Sequence, residues 1–396
     1  MSSLYRSAIS ARIAKLPGLP PSNEDDDYDE TEEGADSLGS LPTPGRMGPP
    51  SLTSSSRAPV PPNPDYAPIR PDAYNQYFSQ ALQIELPTRG LLVRAYQTPM
   101  RGRGVMIMHH GAGYSALSFA CLAKELDGLL GKDVGVLAFD ARRHGRTTPM
   151  EGQLDENLSM EVLVDDLVAL VQAVFSDVQT APVLMLVGHS MGGSVVVRAC
   201  PKLQELKYVV SGVAVLDVVE GTAIEALPHM HALLDTRPEG FHSEEEAIQW
   251  HLNTRTISNP ASARISVPSI LVPQESKLVP LTRANKAFAF RWRTPLRSTA
   301  PYWNSWFTSL STLFLSVRTG RLLILAGRER LDTTLEIGHM QGKFQLQVMD
   351  GRRGTYVGHL VQEDNPAELA EHLKEFWERN QRIEVRGKVI KRIGEV

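Results

Sequence analysis

Leu184-Met185-Leu186-Val187-Gly188-His189-Ser190-Met191-Gly192-Gly193-Ser194-Val195-Val196-Val197 is the stretch that decides how this chain folds. Its first four residues are apolar without alternation, the pattern of a strand covered on both faces. From Gly193 to Ala199 the spacing suits a helix. Between the two stands Gly-x-Ser-x-Gly, and a serine held on a tight strand-to-helix turn is a nucleophile elbow. Glycine removes side chains that would clash in such a turn, and the helix start behind it favours negative charge beside Ser190.

The same grammar extends outward. Residues 82–86 and 91–96 read as two strands joined at Thr88, Arg89 and Gly90, while 104–108 and 134–139 are further fully apolar runs. Helical spacing marks 119–130, 160–175 and 367–376, and strands recur at 183–187, 209–216, 322–325 and 344–348. Strands alternating with helices predict an α/β fold, a mostly parallel central sheet flanked by helices on both faces. The alternation lapses between Thr222 and Leu315, where a helical stretch at 243–253 precedes a Pro-rich, basic segment. An insertion of that length reads as a lid or cap over the catalytic edge of the sheet. The expected organisation is therefore a catalytic domain at 76–385 carrying a cap at 222–315, with a flexible basic segment near 266–300.

The first 75 residues differ in composition. An acidic run at 24–33 includes Asp25, Asp26, Asp27, Asp29, Glu30 and Glu32, and a Pro-, Ser- and Gly-rich stretch follows. So little apolar surface cannot offset chain entropy, which predicts a disordered tail. Across all 396 residues, 41 Lys and Arg face 45 Asp and Glu, a net charge of −4 that argues against a dedicated nucleic-acid binder. Two cysteines, Cys121 and Cys200, cannot build a disulfide framework or a four-thiolate zinc site. No apolar run approaches the roughly 20 residues that span a bilayer. A reducing cytoplasmic or nuclear setting is expected. Neither a phosphate-binding loop nor a dinucleotide fingerprint is present, and spaced metal ligands are absent, so no cofactor or metal is expected.

A serine hydroxyl needs a base. His359, in Gly358-His359-Leu360-Val361-Gln362-Glu363-Asp364, follows the last strand and precedes the last helix, where chain order places the base after serine and acid. His144 and His189 read as local supporting groups. The acid stays open between Asp217, directly after the strand ending at Leu216, and Asp332, after the next strand. Oxyanion donors should be backbone amides: that of Met191, and one from His109-His110-Gly111-Ala112-Gly113-Tyr114, where Ala112 is the candidate.

With these residues in view, the sequence from about 77 to 376 resembles the protein phosphatase methylesterases, fungal-type members of the α/β-hydrolase superfamily. The resemblance rests on the 111–118 loop, the elbow, Asp217-Val218-Val219-Glu220-Gly221-Thr222-Ala223, Tyr302-Trp303 through Trp306-Phe307, 313–316 and Met340-Gln341-Gly342-Lys343-Phe344-Gln345. It implies an α/β-hydrolase fold and a Ser190–Asp217–His359 triad. It also implies a substrate, the methyl-esterified C-terminal leucine of the type 2A protein phosphatase catalytic subunit. In such enzymes the triad is fully assembled only with the phosphatase bound. Trp303, Trp306, Met340 and Gln341 become candidates for the groove that takes the tail. Two departures stand out: Ala112 replaces a common third glycine, and the insertion is basic where relatives can be acidic. Two alternatives remain, a small-molecule carboxylesterase and a non-catalytic phosphatase-binding scaffold.

Overall fold

Apolar runs with no polar alternation become strands buried on both sides. β1 (Gln80–Leu86) and β2 (Leu91–Gln97) form an antiparallel hairpin, followed by β3 (Gly104–His109), β4 (Val134–Phe139) and a two-residue β5 (Thr148–Pro149). Next come β6 (Val183–His189) and β7 (Val210–Leu216), and after the insertion β11 (Gly320–Ala326) and β12 (Gln345–Met349). Within the insertion lie β8 (Gly240–Phe241), β9 (Leu271–Pro273) and β10 (Phe290–Trp292), and a hairpin of β13 (Ile383–Val385) and β14 (Lys388–Ile390) follows the last helix. The computed structural model describes residues 63–100, 102–131, 133–274, 288–327, 331–349, 351, 356–380, 383–385 and 388–390.

The main sheet runs β1-β2-β4-β3-β6-β7-β11-β12, with β5 added to β2. From β4 to β12 all neighbours are parallel, and β2 alone runs against the rest, antiparallel to β1, β4 and β5, so that β1 shares the direction of the parallel strands. The period of two along each strand sends alternate side chains to opposite layers. On β3, Val105 and Ile107 join the core beneath the helices Met160–Val174 and Met191–Glu205. Met106 and Met108 join that beneath Ala120–Leu130 and Pro366–Asn380. Parallel strands place all their C-terminal ends on one edge, and the elbow serine, Asp217 and the loops after β3 and β12 gather there.

The insertion covers that edge. Its helices Glu244–Asn253 and Pro260–Ser266 and the small sheet β8-β10-β9 enclose a core of their own around Phe241, Ile248, Ile257 and Val267, while its helices Glu220–Ala226 and Met230–Thr236 pack Ala223, Ile224, Met230 and Leu234 against the main core. Of the segment 266–300, residues 275–287, with Lys277, Arg283 and Lys286, lie outside the described residues. In its flanks Val267 and Leu271 are buried in the cap core, and Thr299 is buried as well.

Residues 1–62 of the expected tail also lie outside the described residues. Order nevertheless begins before 76. Ile69 N–H donates to the Arg264 carbonyl (2.8 Å) and Arg264 Nε to the Ala67 carbonyl (2.6 Å), while Tyr66, Ile69 and Tyr74 pack against apolar surface. These side chains supply the burial that the composition of the preceding stretch lacks. No helix among the described residues is long and apolar enough to cross a membrane.

Candidate active site

One residue separates β6 from the helix Met191–Glu205. It is Ser190, at φ 51° and ψ −120°, a backbone conformation that L residues adopt only when their surroundings enforce it. The enforcement comes from close approach. A Cβ on Gly188 would stand 2.2 Å from the Gly192 carbonyl oxygen, and one on Gly192 would stand 2.2 Å from that of His109. Ser190 N–H donates to the Leu216 carbonyl at 3.0 Å, tying the elbow to the end of β7. Its hydroxyl opens into a cavity of about 140 Å³.

Asp217 follows Leu216 at once, also at positive φ (50°), with its N–H bonded to the Ile324 carbonyl at 2.7 Å. This turn aims its carboxyl back across the sheet edge. Oδ1 accepts the Ala326 N–H at 2.6 Å and Oδ2 meets His359 Nδ1 at 2.7 Å. The pairing puts the ring proton on Nδ1 and leaves the Nε2 lone pair for a proton acceptor's role. Burial pushes the His359 imidazole down to about 4, so the ring is neutral at pH 7. Burial likewise pushes the Asp217 carboxyl up, opposed by the Ala326 N–H. Ser190 and His359 line the same cavity. No hydrogen bond spans them among the described residues, a spacing common before substrate tightens such contacts.

Asp332 does not face this pair. It caps the helix Thr333–Met340, its Oδ1 accepting Leu335 N–H at 2.9 Å and its Oδ2 bonded to the Ser311 hydroxyl. Of the two open candidates, only Asp217 reaches His359.

The loop after β3 runs along the cavity opposite the elbow, and Ala112 and Met191 both line it. Met191 N–H belongs to the first turn of a helix, whose amides have no intrahelical acceptor. Gly113 N–H is committed to His144 Nε2 at 2.9 Å, whereas that of Ala112 has no hydrogen-bond partner among the described residues. The supporting histidines are fixed as neutral tautomers. His144 takes the Gly113 amide on Nε2 and donates from Nδ1 to the Arg142 carbonyl at 2.8 Å. His110 does likewise with Ala141 N–H and the Gly111 carbonyl. Burial pushes His144 down to about 4. His189 Nε2 bonds the His359 carbonyl at 2.8 Å, with the two rings 4.6 Å apart.

The four groove candidates divide. Trp303 and Trp306 line the cavity with Ser190 and His359, their indole N–H groups held by Thr299 Oγ1 (2.7 Å) and the Leu158 carbonyl (2.8 Å). Met340, 79% exposed, and Gln341 lie at the end of the helix Thr333–Met340 and do not line it. The remaining wall includes cap residues that sequence reasoning did not single out, Leu227, Met230, Leu234 and Arg237 among them. They sit where the strand–helix alternation lapses, so no periodicity marks them. Among the described residues no group of three or more His, Cys, Asp and Glu side chains forms a metal-binding cluster.

Comparison with known proteins agrees with this geometry. Residues 106–372 match the model of the Alpha/beta hydrolase family. The chain is 40% identical over 416 residues to the protein phosphatase methylesterase 1 of Cryptococcus neoformans, covering 97% of this chain and 94% of the relative. It is 39% identical to the protein of that name from Aspergillus fumigatus (96% and 90% covered) and 40% identical to that of Schizosaccharomyces pombe (80% and 87%). Among solved structures, E-2-(acetamidomethylene)succinate hydrolase superposes with a TM-score of 0.57 at 17% identity, over 76% of this chain and 99% of that one. An esterase of M. tuberculosis does so at 0.53 and 17%, over 76% and 92%. At those identities the structures speak for the fold alone. Elbow, paired acid and histidine, sheet order and relatives converge: the chain belongs to the α/β-hydrolase family and, within it, to the protein phosphatase methylesterases.

Proposed function

We propose that this chain is a serine carboxyl methylesterase that removes the methyl group from the esterified C-terminal leucine of the type 2A protein phosphatase catalytic subunit. The observation that carries the reading is the meeting, in one mostly apolar cavity, of Ser190, the Asp217-paired His359 and the amides of Ala112 and Met191. The Ser190 hydroxyl attacks the ester carbonyl carbon while His359 Nε2 takes its proton. Asp217 holds the ring and stabilises the imidazolium that forms. The two amides receive the oxyanion. Collapse expels methoxide, which leaves as methanol with the proton from His359, and an acyl-enzyme remains on Ser190. Water, deprotonated by His359, then releases the free carboxylate. Every proton has a station on the protein, and the cycle calls for no metal or cofactor.

The apolar walls from Leu227, Met230, Leu234, Trp303 and Trp306 suit a leucine side chain next to the reacting carbonyl. Closing of the Ser190–His359 gap on phosphatase binding fits a cap that lies directly over the sheet edge. The test compares kcat/KM on three esters: the methylated phosphatase, a short leucine-ended peptide methyl ester and p-nitrophenyl acetate. Preference for the phosphatase is expected. Fast turnover of the nitrophenyl ester with an untouched phosphatase would instead identify a small-molecule carboxylesterase. Tight phosphatase binding with no turnover of any ester would identify a scaffold.

A further inference from the structure

The cavity that holds Ser190 contains a cation that no carboxylate neutralises among the described residues. Arg237 ends the cap helix Met230–Thr236 and lines the cavity together with Tyr114, His251 and Trp250. Its guanidinium lies 3.8 Å over the face of the Trp292 ring, and the Trp292 indole is itself fixed by donating to the Pro238 carbonyl at 2.7 Å. No hydrogen bond or ion pair engages the Arg237 side chain among the described residues. Asp235, two residues earlier, pairs with Arg297 instead. Other enclosed arginines behave differently: Arg142 is held bidentately by Asp166 at 2.7 and 2.8 Å, and Arg293 donates to the Ser269 and Leu271 carbonyls.

A guanidinium carries five N–H donors in a planar fork that matches a carboxylate. Stacking on an indole offsets only part of the cost of removing it from water. Burial accordingly pushes its pKa down, opposed by Tyr114. No Asp or Glu lines the cavity among the described residues, so its interior favours an anion. We infer that Arg237 is a specificity-determining residue that receives a carboxylate of the peptide bound at Ser190. Two carboxylates have the right chemistry. One is the terminal group that ester hydrolysis creates, and the other is an acidic side chain a short way before the esterified residue. The first would make Arg237 a product-holding group, the second a selector of the tail sequence.

The choice of leucine-ended probes rests on the substrate reading above. Four acetylated tetrapeptides ending in leucine would be titrated calorimetrically into the full chain. One pair is an all-glycine leader with a free or an amidated C-terminus. The other is two amides with Asp or Asn before the leucine. Wild type should bind one charged member about tenfold or more tightly than its neutral partner, the scale of a charge-assisted hydrogen bond. The pair that discriminates names the source of the carboxylate. Arg237→Met should abolish the ratio, and Arg237→Lys should keep part of it by retaining the charge without the fork. Equal binding of charged and neutral partners to wild type, including none at all, overturns the inference without recourse to a variant. So does a preference that survives in Arg237→Met. The esterase reading is judged apart from this, by demethylation of the intact phosphatase.

Discussion

Ser190 and Asp217 share an unusual property: both are non-glycine residues held at positive φ, each at the end of a neighbouring parallel strand. Strain of that kind costs of order 1–3 kcal/mol per residue and persists where the surroundings over-determine it. Here it points two side chains out of the sheet toward one histidine. Asp217→Asn should preserve the fold and lower kcat by about 10⁴-fold, because an amide cannot enforce the Nδ1–H tautomer. Steady-state kinetics beside a far-ultraviolet dichroism spectrum check it, and a loss below tenfold would remove Asp217 from the mechanism. The pH profile follows from burial. His359 accepts a proton only when neutral, and its pKa is pushed down to about 4, so activity is retained as pH falls from 7 and is lost through about pH 4. A kcat/KM limb near the ordinary value of ~6.5 would contradict the enclosed, neutral imidazole.

At the scale of elements, the elbow was readable because its constraints are local. Gly188 and Gly192 answer backbone atoms within five residues or on the adjacent strand, and the apolar run before them specifies a doubly covered strand whatever lies elsewhere. Gly192→Ala would drive a Cβ to 2.2 Å from the His109 carbonyl oxygen and should cost about 3 kcal/mol or more, the scale of severe overpacking. Gly128, inside the helix Ala120–Leu130, has nothing within 4 Å of where an added methyl group would sit, so Gly128→Ala should stabilise by about 0.5–1 kcal/mol. Thermal melts of the two variants should move in opposite directions. The acid that pairs with His359 is not readable from spacing, since Asp217 and Asp332 both follow strands in the right order. What separates them is a turn at Asp217 and a helix cap at Asp332, and neither leaves a periodic trace. The cap was least legible. Its short helices and two- and three-residue strands are stabilised by packing, some around Phe241 and Ile248 and some against the main core, rather than by pattern, and the wall that Leu227, Met230 and Leu234 supply leaves no periodic trace. Met340 and Gln341, adjacent in sequence to a strand of the sheet, lie outside that cavity.

Across the whole molecule, burial of imidazoles ties stability to pH. His109 and His144 are pushed down to about 4 and His251 to about 3, in each case chiefly by desolvation. Unfolding returns each to ~6.5, so between those values the unfolded chain binds protons that the folded chain does not. The stability they contribute is fully present above about pH 6.5 and is lost as pH falls toward the folded value. Asp140 and Asp364, pushed up to about 6 and about 7 by burial, act with the opposite sign, so wild type alone mixes the two. A substitution isolates one. The stability of wild type relative to His251→Gln should decline as pH drops from 7 to 4.5, by about 1.4 kcal/mol for each unit spent below the unfolded pKa. Urea midpoints at the two pH values read it, and an unchanged gap would mean that His251 is not buried neutral.

The central claim joins one serine to one methyl group, and intact-mass analysis tests that join. Methylated phosphatase catalytic subunit would be incubated with the wild-type chain and, separately, with Ser190→Ala. The account predicts loss of a single methyl group with wild type and none with the variant. Retention of the methyl group with both proteins, in a sample where the complex is shown to form, would contradict it.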